Sequence, residues 1–132
     1  MNSQEQHINQ LVIYQKSIDI FKLSRHIASY ITNDKNTLSM YLSDKVSDRY
    51  ADNLVMNALG LVPKIVEVES EENPSLKLKY AKSIRYFIDS LYQDCLNLES
   101  ARIQGKDFVR MLRRELILLK RIHRRYVKSL YK

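Results

Sequence analysis

Eight cations near the end of the chain are the residues whose type and spacing most readily do chemistry. They are Arg110, Arg113, Arg114, Lys120, Arg121, Arg124, Arg125 and Lys128. On a helical projection of about 100° per residue they share an arc of roughly 140°. No acidic residue falls inside that arc, although Asp107 and Glu115 lie nearby in sequence. Solvated helix faces ordinarily mix signs, because like charges three and four residues apart repel. Six of the eight are arginine, whose planar, weakly hydrated guanidinium fits phosphate oxygens in pairs. The chemistry expected of such a face is non-covalent capture of a polyanion, nucleic acid foremost. A second basic group, Lys77, Lys79, Lys82 and Arg85, precedes it. An antiparallel hairpin would bring that group near Arg124, Arg125 and Lys128. A bland alternative is a solvated face that keeps the chain soluble. Ile117, inside the arc, hints at a protein contact instead.

The charge is regional. Residues 102–132 hold eleven Lys/Arg against two acids, whereas residues 1–101 hold eleven against thirteen, and the whole chain carries +7.

Other reactive groups give weak signals. His7, His26 and His123 stand far apart, with no His or Cys at metal-ligand spacing. His123 falls beside the apolar seam of the last helix and reads as a packed or locally paired residue. Glu69 and Glu72 form an ExxE at a helix end, with no second acidic pair to converge on a metal. Two glycines in the chain leave no room for a phosphate-cradling loop. Cys95 falls on a seam and reads as an inert core thiol. Glu115 falls near the seam face, placed to pair with a neighbouring cation. No enzyme activity, metal or cofactor is expected. Tyr80, Tyr86, Tyr92, Tyr126 and Tyr131 lie on the two basic helices; stacking on bases is one use, and buried-ring, wet-hydroxyl rim positions are the commoner one.

These residues need long helices to position them. With 132 residues, 45% of them hydrophobic, and two prolines, the chain reads as one domain, 1–132, with few turns. Four helical segments follow. The first runs from about Gln4 to Ile31, with Leu11, Tyr14, Ile18, Phe21 and Arg25/His26 roughly on one face and Ile20, Leu23, Ile27 and Ile31 widening it, and ends at Asn33–Asn36. Thr37 caps the second, which continues to about Glu69 through Leu38, Leu42, Val46, Ala51, Leu54, Val55, Ala58, Leu61, Val62 and Ile65. Pro63 removes an amide donor inside it, so a kink or local break is expected near Leu59. Asn73 and Pro74 open the third as cap and first-turn residue. Its seam is Ala81, Ile84, Ile88, Leu91, Cys95 and Leu98. Gly105 suits a helix stop and Asp107 an N-cap. The fourth carries Phe108, Leu112, Leu119, Ile122, Tyr126 and Leu130 as its seam, in a rod of roughly 36 Å. The expected fold is all-α: an up-down-up-down antiparallel four-helix bundle with long helices, the second kinked near Pro63.

A single cysteine forms no intrachain disulfide, the first residues lack a signal-peptide plan, and no apolar run spans a bilayer. A cytoplasmic protein with no membrane partner is expected.

The chain also resembles a family of small bacterial four-helix-bundle proteins. Leu11-Val12-Ile13-Tyr14-Gln15-Lys16-Ser17-Ile18-Asp19-Ile20-Phe21 resembles the opening of these proteins, whose first helix begins with a Leu-x-Val-(Tyr/Trp)-x-Lys-Ala pattern. Tyr86-Phe87-Ile88-Asp89-Ser90-Leu91, Leu98-Glu99-Ser100-Ala101-Arg102 before a Gly-containing turn, and the closing Lys128-Ser129-Leu130 resemble its second half. The family includes proteins encoded in ribosomal RNA intervening sequences and the accessory variability determinant of diversity-generating retroelements. The first branch usually carries a Ser-Asn-Ile-Ala-Glu-Gly-like motif in helix two. Asn57–Pro63 departs from it, which points to the retroelement branch. The resemblance implies a basic homopentameric barrel, a reverse transcriptase partner, and binding to template RNA and complementary DNA during complementary-DNA synthesis. It places the RNA contacts on the last helix, at Arg110, Arg113, Arg114, Arg121, Arg124, Arg125 and Lys128. The alternative is a helical protein-interaction module whose basic stripe docks an acidic partner without specific nucleic-acid binding.

Overall fold

A computed structural model describes residues 3–32 and 46–131. The Asn33–Asn36 break, the Thr37 cap, Leu38 and Leu42 lie outside the described residues. The described chain is all-helical, with no strand: α1 Ser3–Gln10, α2 Val12–Ile31, α3 Val46–Ser70, α4 Pro74–Ser100 and α5 Lys106–Ser129. Helix α2 packs on α3, α3 on α4, α4 on α5, and α5 back on α2. Each long helix turns one apolar stripe inward, and the stripes meet in one core. Burial of such stripes, rather than intrinsic propensity, holds helices of this length in place.

The α4 stripe is the one its heptad predicts: Ala81, Ile84, Ile88, Leu91, Cys95 and Leu98 are all buried. Asn73 caps α4, its side chain accepting from the Leu76 amide at 3.1 Å, and Pro74 occupies the first turn. Pro needs no amide partner there. Helix α3 stays helical through Pro63, so the expected local break is absent. Its Gly60 lets the Phe87 ring approach the backbone; a Cβ there would lie 2.5 Å from the ring.

Several boundaries and faces differ from the sequence expectation. The first segment is interrupted at Leu11, whose backbone is extended (φ −68°, ψ 129°). The Gln15 side chain donates to the Asn9 carbonyl at 3.0 Å, satisfying an acceptor that the break exposes. Helix α1 then turns so that Ile8 is buried and His7 reaches Glu69. The buried face of α2 is Ile13, Ser17, Ile20, Ser24, Ile27 and Ala28, while Arg25 and His26 are exposed. On α5 the buried stripe is Val109, Leu112, Leu116, Leu119, His123 and Tyr126. Phe108 is exposed and Ile122 and Leu130 are half-buried. Asp107 is inside the first turn, not the cap. Gly105 precedes the helix at φ 81°, a left-handed conformation that a residue without Cβ adopts freely. Helix α4 ends before it, at Ser100.

Candidate nucleic-acid interface

Helix α5 positions the eight cations, and its buried stripe fixes which way each points. Those on the edge facing α4 find carboxylates there. Arg113 lies against Glu99, with its Nη2 donating to Oε1 at 2.9 Å and Nε 2.9 Å from Oε2. The Tyr92 hydroxyl and then Glu99 hold that guanidinium still more firmly protonated. Arg110 reaches the same Glu99 at 3.6 Å and Asp107 at 2.8 Å. Lys120 lies 3.8 Å from Asp89, which also takes Arg85 at 2.9 Å. The other five differ. Arg114, Arg121, Arg124, Arg125 and Lys128 are exposed, and among the described residues none has a carboxylate within ion-pair distance. Positions 114, 121 and 128 repeat every two turns, about 10.5 Å apart. They form a ridge along the solvent-facing side of α5, with 125 one turn from 121.

Apolar residues interleave with this ridge. Ile117 is 40% exposed, as its place in the arc suggested, and Leu118 and Met111 are exposed to a similar degree.

The second basic group divides. Lys77 and Lys79 are not part of the cleft that gathers the others. Lys82 and Arg85 join Arg124 and Lys128 around a cleft of about 350 Å³ that His123 and Val127 also line. Lys82 sits 5.5 Å from the Tyr131 ring. The antiparallel contact of α4's start with α5's end therefore does bring the two groups together, though through two of the four residues.

His123 is the buried member of this cleft. Its Nε2–H donates to the Ala81 carbonyl at 2.8 Å; a carbonyl only accepts, so the proton is on Nε2. Burial pushes its pKa down, against the Ala81 bond, so the ring is neutral at physiological pH. Nδ1 is buried with no partner. His123 is thus a packing residue on the seam itself rather than beside it.

The remaining reactive groups are engaged structurally. Glu69 accepts from the Tyr126 hydroxyl and lies 3.0 Å from His7 Nε2. That network ties the ends of α1, α3 and α5 together, and sequence reasoning, which paired Glu69 with Glu72, missed it. Burial, then Glu69, raises the Tyr126 pKa above the usual phenol value. Glu115 pairs with Lys16 of α2. Cys95 is buried, and burial, helped by Asp94 and Glu99, pushes its thiol up to about 12. Asp94 is buried beside Asn57, which donates to it at 2.7 Å; burial outweighs that bond and raises its carboxyl to about 6. Tyr86 is exposed, while Tyr80 and Tyr92 are half-buried at rim positions.

Among the described residues, no group of three or more His, Cys, Asp or Glu side chains converges as a metal site. No helix among them is long and apolar enough to cross a membrane. The site consists of five cations on one helix pole without carboxylate partners among the described residues, three neutralised ones on its α4 edge, and a hollow beside the ridge that draws cations from two helices. The chain matches no protein-family model, no curated protein and no solved structure.

Proposed function

We propose that this protein is a non-enzymatic, nucleic-acid-binding accessory subunit that binds a reverse transcriptase and its template RNA and supports complementary-DNA synthesis. The observation that carries the nucleic-acid part is the ridge of Arg114, Arg121, Arg124, Arg125 and Lys128, exposed and without carboxylate partners among the described residues. Cations that the fold does not use are available to phosphates, and counterion release then drives binding. Most contacts of such a ridge go to the backbone, so sequence preference is weak and salt dependence steep. The polymerase partner, the retroelement setting and a homopentamer rest on the family resemblance of residues 11–21, 86–91, 98–102 and 128–130. The same reading makes the architecture an up-down-up-down antiparallel four-helix bundle with helix α3 bent near Pro63. The pairing of consecutive long helices supports it, as do the Glu99–Arg113 contact across the α4–α5 turn and the Tyr30–Phe108 contact between the end of α2 and the start of α5.

A second reading is a protein-interaction module that docks an acidic partner. The exposed Ile117, Leu118 and Met111 favour it, since a pure phosphate-binding face has no use for them. Affinity capture of the protein from its host with and without nuclease separates the two. The accessory-subunit reading predicts co-purifying RNA and a reverse transcriptase. A nuclease-resistant acidic protein with no RNA would replace it with the second reading.

A further inference from the structure

The cation ridge of α5 has a hollow on each side. The one facing α4 is the cationic cleft around His123. The one facing α2 is apolar, about 250 Å³, walled by Leu11, Val12, Ile122 and the Tyr126 ring, with the exposed Arg125 and Ser129 also lining it. It lies where the helical run breaks at Leu11. Tyr126 is held by its hydroxyl bond to Glu69, so its ring is a fixed wall. Val12, at its mouth, is 62% exposed, an apolar residue the core does not use.

The hollow is smaller than the roughly 300–1,000 Å³ of a site for a drug-sized ligand. It suits a single ring. Its one charged lining residue, Arg125, belongs to the free ridge, with Arg121 one turn before it and Lys128 one turn after. An apolar slot bordered by unpaired cations has the two parts that single-strand binders combine: a cationic track for phosphates and a platform for ring faces. The guanidinium of Arg125 is planar and can cover the exposed face of a ring lying in the slot. Paired strands bury those ring faces in the stack, whereas loops and single strands can splay them out.

We propose that this hollow holds one unpaired base of a single-stranded RNA whose phosphates lie along Arg121, Arg125 and Lys128. The inference rests on the nucleic-acid reading and adds to it the strand state of the partner. Charge complementarity selects RNA over an apolar side chain of an acidic protein: the cations follow the slot at one-turn intervals, and a nucleic-acid strand carries a phosphate for every base.

The test compares a labelled oligouridylate with a strand of equal length and phosphate count in which every base is removed. Anisotropy titrations run at physiological salt. The base-bearing strand is expected to bind about tenfold more tightly. Val12→Phe and Ser129→Phe each fill the slot from an exposed position without changing charge. In either variant, with helical content verified by circular dichroism, the ratio between the strands should fall to about one. Equal affinity of the unaltered protein for both strands overturns the slot while leaving RNA binding intact. Failure to bind either strand removes the nucleic-acid reading and the slot with it. A tenfold ratio that persists in both filled variants also overturns the proposal, because the base must then sit elsewhere. So does loss of the reverse transcriptase in Val12→Phe with the ratio preserved, which would assign the slot to a protein side chain.

Discussion

Replacing Arg121 and Arg125 together with glutamine should flatten the salt dependence of RNA binding, whereas the same change at Arg110 and Arg113 should not. All four are arginines on one helix face, so composition alone treats them alike. The structure does not: Glu99 already neutralises Arg110 and Arg113 at 3.6 and 2.9 Å, and among the described residues Arg121 and Arg125 have no such partner. On a single strand each neutralised phosphate adds about 0.7 to the slope of log affinity against log salt. Five engaged cations give a slope near −3.5, or roughly 100-fold weaker binding on going from about 50 to 200 mM salt. Removing two of them leaves a slope near −2.1, or about 20-fold over the same range. The Arg110/Arg113 double variant keeps a slope near −3.5 but loses stability, because the Glu99 carboxylate, its side chain 14% exposed, is left without its donors. Anisotropy titrations at four or five salt concentrations, with a denaturant melt of each variant, measure both quantities. A slope that falls equally in the two double variants would refute the division into free and committed arginines.

Asp94→Asn should stabilise the fold near neutral pH. The native carboxyl is raised from 3.8 to about 6, so its contribution is fully present below the unfolded value and is lost as pH rises through about 6. The ceiling of the gain at pH 7.5 is about 3 kcal/mol, and urea melts should show it shrinking towards zero at pH 4. Buried neutral His123 works in the opposite sense, its stability being lost as pH falls below its unfolded value, so the Asp94 effect is read from the difference between the two proteins. Cys95, buried and pushed up to about 12, should resist thiol reagents in the native protein and react promptly in denaturant; fast native labelling would contradict its place in the core. Gly105→Ala should cost roughly 1–3 kcal/mol in melts, because φ is +81° and a Cβ there would lie 2.8 Å from the Tyr30 ring.

What could be read in advance follows from where local physics decides. The heptad of α4 is regular and uniformly apolar, and its buried stripe is the one the spacing implies. Asn73–Pro74 is a strong local start signal, and it caps the helix as expected. Failures come where the deciding group lies elsewhere in the chain. Ser17 and Ser24 stand buried in the core stripe of α2, and a hydrophobic pattern skips them. The break at Leu11 has no proline or glycine to announce it; it is supported by the Gln15 side chain and by docking of Ile8 and His7. On α5 an apolar band wider than one stripe allowed Phe108 and Ile122 to be taken for seam positions held by Val109 and His123. The arginine arc was legible from periodicity. Its division into committed and free members was not, because Glu99 and Asp89 belong to another helix. The Glu69–Tyr126–His7 network joins residues far apart in sequence and left no local trace.

Charge reversal at Arg124 and Arg125 bears most directly on the claim that the solvent pole of α5 holds RNA. Both residues are exposed and have no carboxylate within ion-pair distance among the described residues, so the double glutamate variant should keep its helical content and melting behaviour. Measured at physiological salt, its RNA affinity should fall by at least tenfold, the equivalent of about 1.4 kcal/mol. An affinity that stays at the value of the unaltered protein, in a variant shown to be folded, would contradict it.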